Sequence, residues 1–302
     1  MVKEALLSSS AVGEVNSPRD LAQEDNPQFI KSIRDIERRL VSDWLTFGPI
    51  KLSYDLYGAV KDGYRSLREH YDLVHDPISE GEGVPRGDGS PVIILGGLAS
   101  IEQNYSALVR SLIGANWNAM TVPWGVNLPP IKEKAELLKK CVRERVKSSG
   151  RKAKIIGHSL GGEEEMEFFA GNPEEFVDLI DHVVFIGAPR PTRLNSAVSL
   201  FCTAILKWMN PDEYLEIDEK AHLLKTLADA GLVKTTSIDS RADPIIGGPF
   251  YGRAQDHFDI EAATHTGLAT NKDTVAIVTH QFMDAEIDFR RYPNIHRLSE
   301  AA

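Results

Sequence analysis

The tract Gly157-His158-Ser159-Leu160-Gly161-Gly162 sets a serine between glycines two residues before and two after it. A serine turned sharply between a strand and a helix needs that spacing, because the tight backbone leaves no room for larger side chains and the turn holds the hydroxyl above the sheet. The apolar strand pattern Lys154 to Ile156 before it and the helical pattern after it supply that context. A serine hydroxyl is a poor nucleophile until a base takes its proton. The base in turn needs an acid to fix its tautomer and stabilise the imidazolium.

In an open α/β sheet these partners follow the serine in the order acid, then histidine, each on a loop after a strand. The segment Thr235-Thr236-Ser237-Ile238-Asp239-Ser240-Arg241-Ala242-Asp243-Pro244 offers Asp239 and Asp243. Asp243 is preferred, being in the turn; the alternation along Thr235 to Ser240 puts Asp239 on the sheet and leaves it the second candidate. For the base, His265 lies in Ala263-Thr264-His265-Thr266-Gly267-Leu268, after one strand pattern and before a helical one. His70, His75 and His158 precede the serine and are out of order, as His280 is inside a helical pattern and His257 is at the wrong end of a strand; His182, His222 and His296 complete the competitors.

The oxyanion formed on an attacked carbonyl needs two backbone donors. One follows the nucleophile, which is the Leu160 N–H. The other comes from the loop after the first core strand, Gly96-Gly97-Leu98-Ala99, where Gly97 and Leu98 are candidates and Leu98 is preferred. The competing reading is that Gly96-Gly97 only terminates the strand.

The elements that must hold these residues are legible as alternating patterns. Pro91 to Leu95, Asn118 to Val122, Lys154 to Ile156, His182 to Ile186, Thr235 to Ile238 and Phe258 to Ile260 read as six strands, separated by helical patterns at about 103–113, 131–147, 164–170 and from about 271. Such alternation predicts a parallel sheet with helices on both faces and ligands at the carboxyl ends of the strands. Between 189 and 231 the strand pattern lapses into helix-like residues, read as a helical cap at about 190–232. Residues 1–27 lack periodicity and read as a flexible leader. Residues 28–86 read as a helical N-terminal section, with Phe29, Ile33, Ile36, Leu40 and Trp44 on one face of a first helix and a second from Tyr57 to Tyr71. A loop dense in Gly, Pro, Asp and Ser then leads into the domain 87–302.

Composition excludes several classes. Thirty-four Lys and Arg against 44 Asp and Glu give a net charge of −10, which argues against a nucleic-acid partner. No apolar run reaches the roughly 18–20 residues that span a bilayer. The two cysteines, Cys141 and Cys202, form neither a CxxC pair nor part of a histidine cluster, and no dinucleotide fingerprint occurs, so no metal or organic cofactor is expected. The N-terminal residues lack an apolar core of signal-peptide length, so a reducing, cytoplasmic setting is expected. Nothing specifies an oligomeric state.

Four stretches together resemble the α/β-hydrolase fold of lipases and esterases: RGDGSPVIILGGLAS with VPWGVNLPP, then KIIGHSLGGEEEMEFFA, SIDSRADPII and ATHTGLATNKDTV, in family order between about 87 and 285. The resemblance implies Ser159 as nucleophile, Asp243 as acid and His265 as base. It also implies two further initial strands, which residues 28–86 do not supply, so a reduced sheet of about six strands is expected. The function implied is hydrolysis of carboxylic esters through an acyl-serine. An acyltransferase or thioesterase using the same three residues, or a binding protein that keeps only the fold, are the alternatives.

Substrate features are sparser. Glu163, Glu164 and Glu165 follow the serine turn, where they either stabilise a helix N-terminus or repel anionic acyl groups. The cap is apolar on all sides. Its Phe201, Ile205 and Trp208 either pack on the core or line an acyl pocket that opens as a lid at a lipid surface, so the expected partner is a small-molecule or lipid ester.

Overall fold

The computed structural model describes residues 64–128, 130–188, 217–243, 245 and 254–298. The apolar runs form a seven-stranded sheet in the order β2-β1-β3-β4-β5-β6-β7. Its strands are β1 (Pro91–Leu95), β2 (Asn118–Thr121), β3 (Ala153–His158), β4 (Ile180–Ile186), β5 (Lys234–Asp239), β6 (Asp256–Ile260) and β7 (Ile295–Leu298). The first six, those expected, pair in parallel. The seventh, β7, is antiparallel to β6 and escapes a hydropathy reading because only Ile295 of its four residues is buried. Exposed His296 and Arg297 suit a strand at a sheet edge, where charge discourages further pairing.

Because side chains alternate across a strand, each buried strand feeds two cores. Val92 and Ile94 of β1, Ile156 of β3, and Val184 and Ile186 of β4 face one side. That side is covered by α1 (residues 64–75), α2 (Ser106–Gly114) and α8 (Lys272–Phe282), through Leu73, Leu108, Leu112, Val275 and Val278. Ile93, Leu95, Ile155, Val183 and Phe185 face the other side. There they meet α3 (Ile131–Ser149), α4 (Leu160–Gly171), α5 (Pro173–Leu179) and α6 (Ile217–Asp229), through Leu138, Val142, Phe169, Phe176, Leu224 and Leu227. Each such side chain contributes about 1.5–3 kcal/mol by leaving water. A short helix, α7 (His265–Leu268), lies at the carboxyl end of β6.

Two boundaries expected from the sequence take a different form. Leu73, Ile78 and Val84 are buried in the same core as β1, so the described part of the N-terminal section is continuous with the sheet domain. The helix α6, the described helix within the stretch read as a cap, precedes β5 and packs against the sheet through Leu224 and Leu227. The rest of that stretch, including Phe201, Ile205 and Trp208, lies outside the described residues, as do the leader and the helix expected at Phe29 to Trp44.

Candidate active site

The turn between β3 and α4 carries Ser159 at φ 53°, ψ −120°, a backbone region that side-chain-bearing residues rarely occupy. Holding it costs on the order of 1–3 kcal/mol, which the surrounding structure must supply. The flanking glycines are required by contact. A Cβ on Gly157 would come within 2.7 Å of the Gly162 nitrogen, and one on Gly161 within 2.6 Å of the Leu95 carbonyl oxygen. The Ser159 N–H donates to the Ile186 carbonyl at the end of β4, which fixes the turn at the carboxyl edge of the sheet.

Two more strand ends bring partners to that edge. Asp243, in the turn after β5, accepts from His265 Nδ1 at 2.7 Å through Oδ2 and from the Ile245 N–H at 2.7 Å through Oδ1. Both side chains are buried. The imidazole of His265 lies over Gly187, which follows β4; a Cβ there would sit 3.3 Å from its Nδ1. Asp239, the second acid candidate, ends β5 and accepts instead from the Ser237 hydroxyl at 2.6 Å. No hydrogen bond joins the Ser159 hydroxyl to His265 among the described residues.

The loop after β1 is held by side chains that sequence reasoning missed. The Gly97 N–H donates to Tyr105 Oη at 2.7 Å. It is thereby engaged, which removes Gly97 from the oxyanion candidates. Asn127 clamps the same loop: its Nδ2 donates to the Gly96 carbonyl at 2.6 Å, its carbonyl accepts from the Ala99 N–H, and its N–H donates to the Ser100 carbonyl. The Leu98 N–H has no acceptor among the described residues, and Leu160, as the first residue of α4, has an N–H with no intrahelical acceptor. The side chains of these two residues pack together with Ile131. Asn127 stands in the VPWGVNLPP stretch and was visible as a motif; Tyr105 had no sequence signal beyond a helical pattern.

His158, set aside as a base, is a structural relay. Its Nε2 donates to the His265 carbonyl at 2.9 Å, which leaves Nδ1 to accept from Tyr105 Oη at 2.8 Å. Burial, and then the adjacent His265, push its pKa down to about 3, so the ring stays neutral and this tautomer persists.

The three glutamates after the elbow, read as stabilising a helix N-terminus or repelling anionic acyl groups, are all buried. Burial pushes Glu164 up to about 8, opposed by the Asn127 amide and Lys134 beside it, and Glu165 is raised well above the ordinary range by burial and by Glu164. Burial thus favours the neutral form of the Glu164 carboxyl. Among the described residues no group of His, Cys, Asp and Glu could hold a metal ion, and no helix is long and apolar enough to cross a membrane.

A mostly parallel sheet with a strained serine elbow after β3, and an Asp-His pair on the loops after β5 and β6, is the α/β-hydrolase fold. No family model and no curated protein sequence matches the chain. Among solved structures it is similar to Aspergillus fumigatus lipase B, with 15% identity, a TM-score of 0.52, and 70% of this chain covering 56% of that one. Paleococcus ferrophilus monoacylglycerol lipase (14% identity, TM-score 0.45, covering 67% of this chain and 96% of that one) and bromoperoxidase from Bacillus anthracis (14%, 0.45, 66% and 93%) are more distant in shape.

Proposed function

We propose that the protein is a serine hydrolase that cleaves carboxylic esters. The observation that carries this reading is the conformation of Ser159, strained at φ 53° and aimed from the same sheet edge as the His265–Asp243 pair. Backbone strain of this kind concentrates at functional sites. The lipases among the structural neighbours agree with the reading but, at such low identity, add only the fold.

In the proposed reaction the Ser159 Oγ attacks the ester carbonyl while His265 Nε2 takes its proton. Asp243, accepting from Nδ1, holds the ring in the required tautomer and stabilises the imidazolium. The carbonyl oxygen, now negative, is held by the Leu160 and Leu98 N–H groups. Collapse breaks the ester C–O bond, and the alcohol leaves with the proton from His265. Water then attacks the acyl-serine, passing a proton to His265, and the carboxylic acid and free Ser159 are released. The Ser159–His265 hydrogen bond forms in the substrate complex, where such contacts tighten.

The deciding experiment is fluorophosphonate labelling with peptide mapping on the wild type and on Ser159→Ala, followed by a scan of ester, thioester and alcohol acceptors. Labelling confined to Ser159 and turnover of simple esters are expected. Folded protein that stays unlabelled, with and without detergent micelles, would reject the reading.

A further inference from the structure

The helix α1 lies outside the alternating strand-helix pattern, yet its inner face grips the loop that carries His265. Glu69 accepts through Oε1 from the Thr264 N–H at 3.2 Å and through Oε2 from the Thr264 hydroxyl at 2.7 Å. Thr264 is the N-cap of α7, its hydroxyl accepting from the Gly267 N–H at 2.9 Å, and His265 is the first residue of that helix. One turn earlier on α1, the Ser66 hydroxyl accepts from the Thr266 hydroxyl at 2.9 Å, and Arg65 donates to the carbonyl of Ala262, which is itself held at φ 60°. Asp76, just beyond α1, accepts from Lys272 at 2.9 Å, the first residue of the next helix.

The fit at Gly267 shows how closely the carboxylate is seated. A Cβ on Gly267 would lie 1.5 Å from Glu69 Oε2 and 2.4 Å from Thr264 Oγ1. Only a residue without a side chain admits Glu69 to this position. A helix of four residues has too few internal hydrogen bonds to stand alone, so the direction of its first residue is set by what caps it.

We propose that Glu69 is a positioning residue for the base: from a helix added outside the sheet, it caps α7 through Thr264 and holds the His265 ring on Asp243. The proposal rests on the reading of Ser159, His265 and Asp243 given above. Glu69 hydrogen-bonds to this loop at Thr264, next to His265 in the chain. It acts by removing a freedom of the 262–268 loop, and a displacement of the base of about 1 Å is enough to cost one to two orders of magnitude in rate.

The test uses the full chain with Glu69→Ala, Glu69→Gln and Gly267→Ala, each checked for folding by thermal unfolding. Activity is read as kcat and KM on a short p-nitrophenyl ester, and the His265 Nδ1–H proton is followed by NMR. We expect Glu69→Ala to lower kcat about tenfold with KM little changed and to shift or broaden the Nδ1–H resonance. Glu69→Gln, whose amide oxygen still accepts from the Thr264 N–H, restores most of the rate. Gly267→Ala, which leaves α1 intact but displaces both the carboxylate and the Thr264 hydroxyl it holds, produces a defect at least as large as that of Glu69→Ala. Wild-type kcat per folded molecule and an unmoved resonance in both Glu69→Ala and Gly267→Ala would overturn the proposal. A wild type that neither turns over ester nor takes the fluorophosphonate instead defeats the hydrolase reading, and the resonance alone then decides whether Glu69 sets the histidine.

Discussion

Tyr105 Oη donates to His158 Nδ1 at 2.8 Å while accepting from the Gly97 N–H, so one phenol oxygen joins the loop after β1 to a ring that donates to the carbonyl of His265. Tyr105→Phe leaves two buried polar groups without this partner, at a cost of about 1–3 kcal/mol each. We expect a lower kcat and at least a tenfold weaker affinity for a boronic acid that mimics the tetrahedral adduct. Boronate binding as tight as wild type in a folded Tyr105→Phe protein would show that the loop keeps its shape without the relay.

Asp243 and Asp239 are separable by substitution. Asp243→Asn is expected to drop kcat by about 10⁴, because the amide selects the wrong imidazole tautomer. Asp239→Asn disturbs the contact with Ser237 and leaves the Asp243–His265 pair in place, so it is expected to retain activity within about tenfold. Comparable losses in the two variants, measured on the same ester, contradict the assignment.

Glu164 makes stability depend on pH. Its folded pKa of about 8 lies above the ordinary value of 4.5, so the folded protein holds a proton that the unfolded chain releases. Stability is therefore greatest below pH 4.5 as far as this group is concerned, and falls by up to about 1.4 kcal/mol per pH unit as pH rises from there to about 8. Glu164→Gln is expected to gain stability over wild type across that interval and to level off above it, as followed by urea unfolding at pH 5, 6.5 and 8. A difference between the two proteins that does not vary with pH removes Glu164 as the cause.

Ser159 holds a backbone conformation better suited to glycine. Ser159→Gly is expected to abolish turnover and to raise stability by about 1 kcal/mol, since the strain is relieved even though glycine adds freedom to the unfolded chain. A lower unfolding midpoint than that of Ser159→Ala would show that the elbow is not strained.

The six parallel strands were legible because a strand buried on both faces is apolar throughout, as Pro91–Leu95 and Ile180–Ile186 are nearly so. The loop positions of Ser159, Asp243 and His265 were legible because each stands after a strand pattern. What stayed hidden depends on distance along the chain. Glu69 is an ordinary helix-face carboxylate until the fold brings it to a threonine 195 residues away. The sequence places Glu163, Glu164 and Glu165 at a helix start but does not show that they are buried, since burial of charge is not the default and only the packing of α3 and α4 encloses them. Gly97 was a reasonable oxyanion donor until Tyr105, on the following turn, took its N–H.

The contacts between α1 and the 262–266 loop also bear on the order in which the molecule assembles. They join positions 195 to 200 residues apart, among the longest loop closures in the described chain. Residues 66–69 leave the ribosome well before the 262–266 loop does, so the elbow and its neighbouring strands can collapse while this closure is still unmade. On the proposed reading, the proton acceptor is then fixed after the serine, and a nascent or C-terminally clipped chain carries its serine without being able to use it.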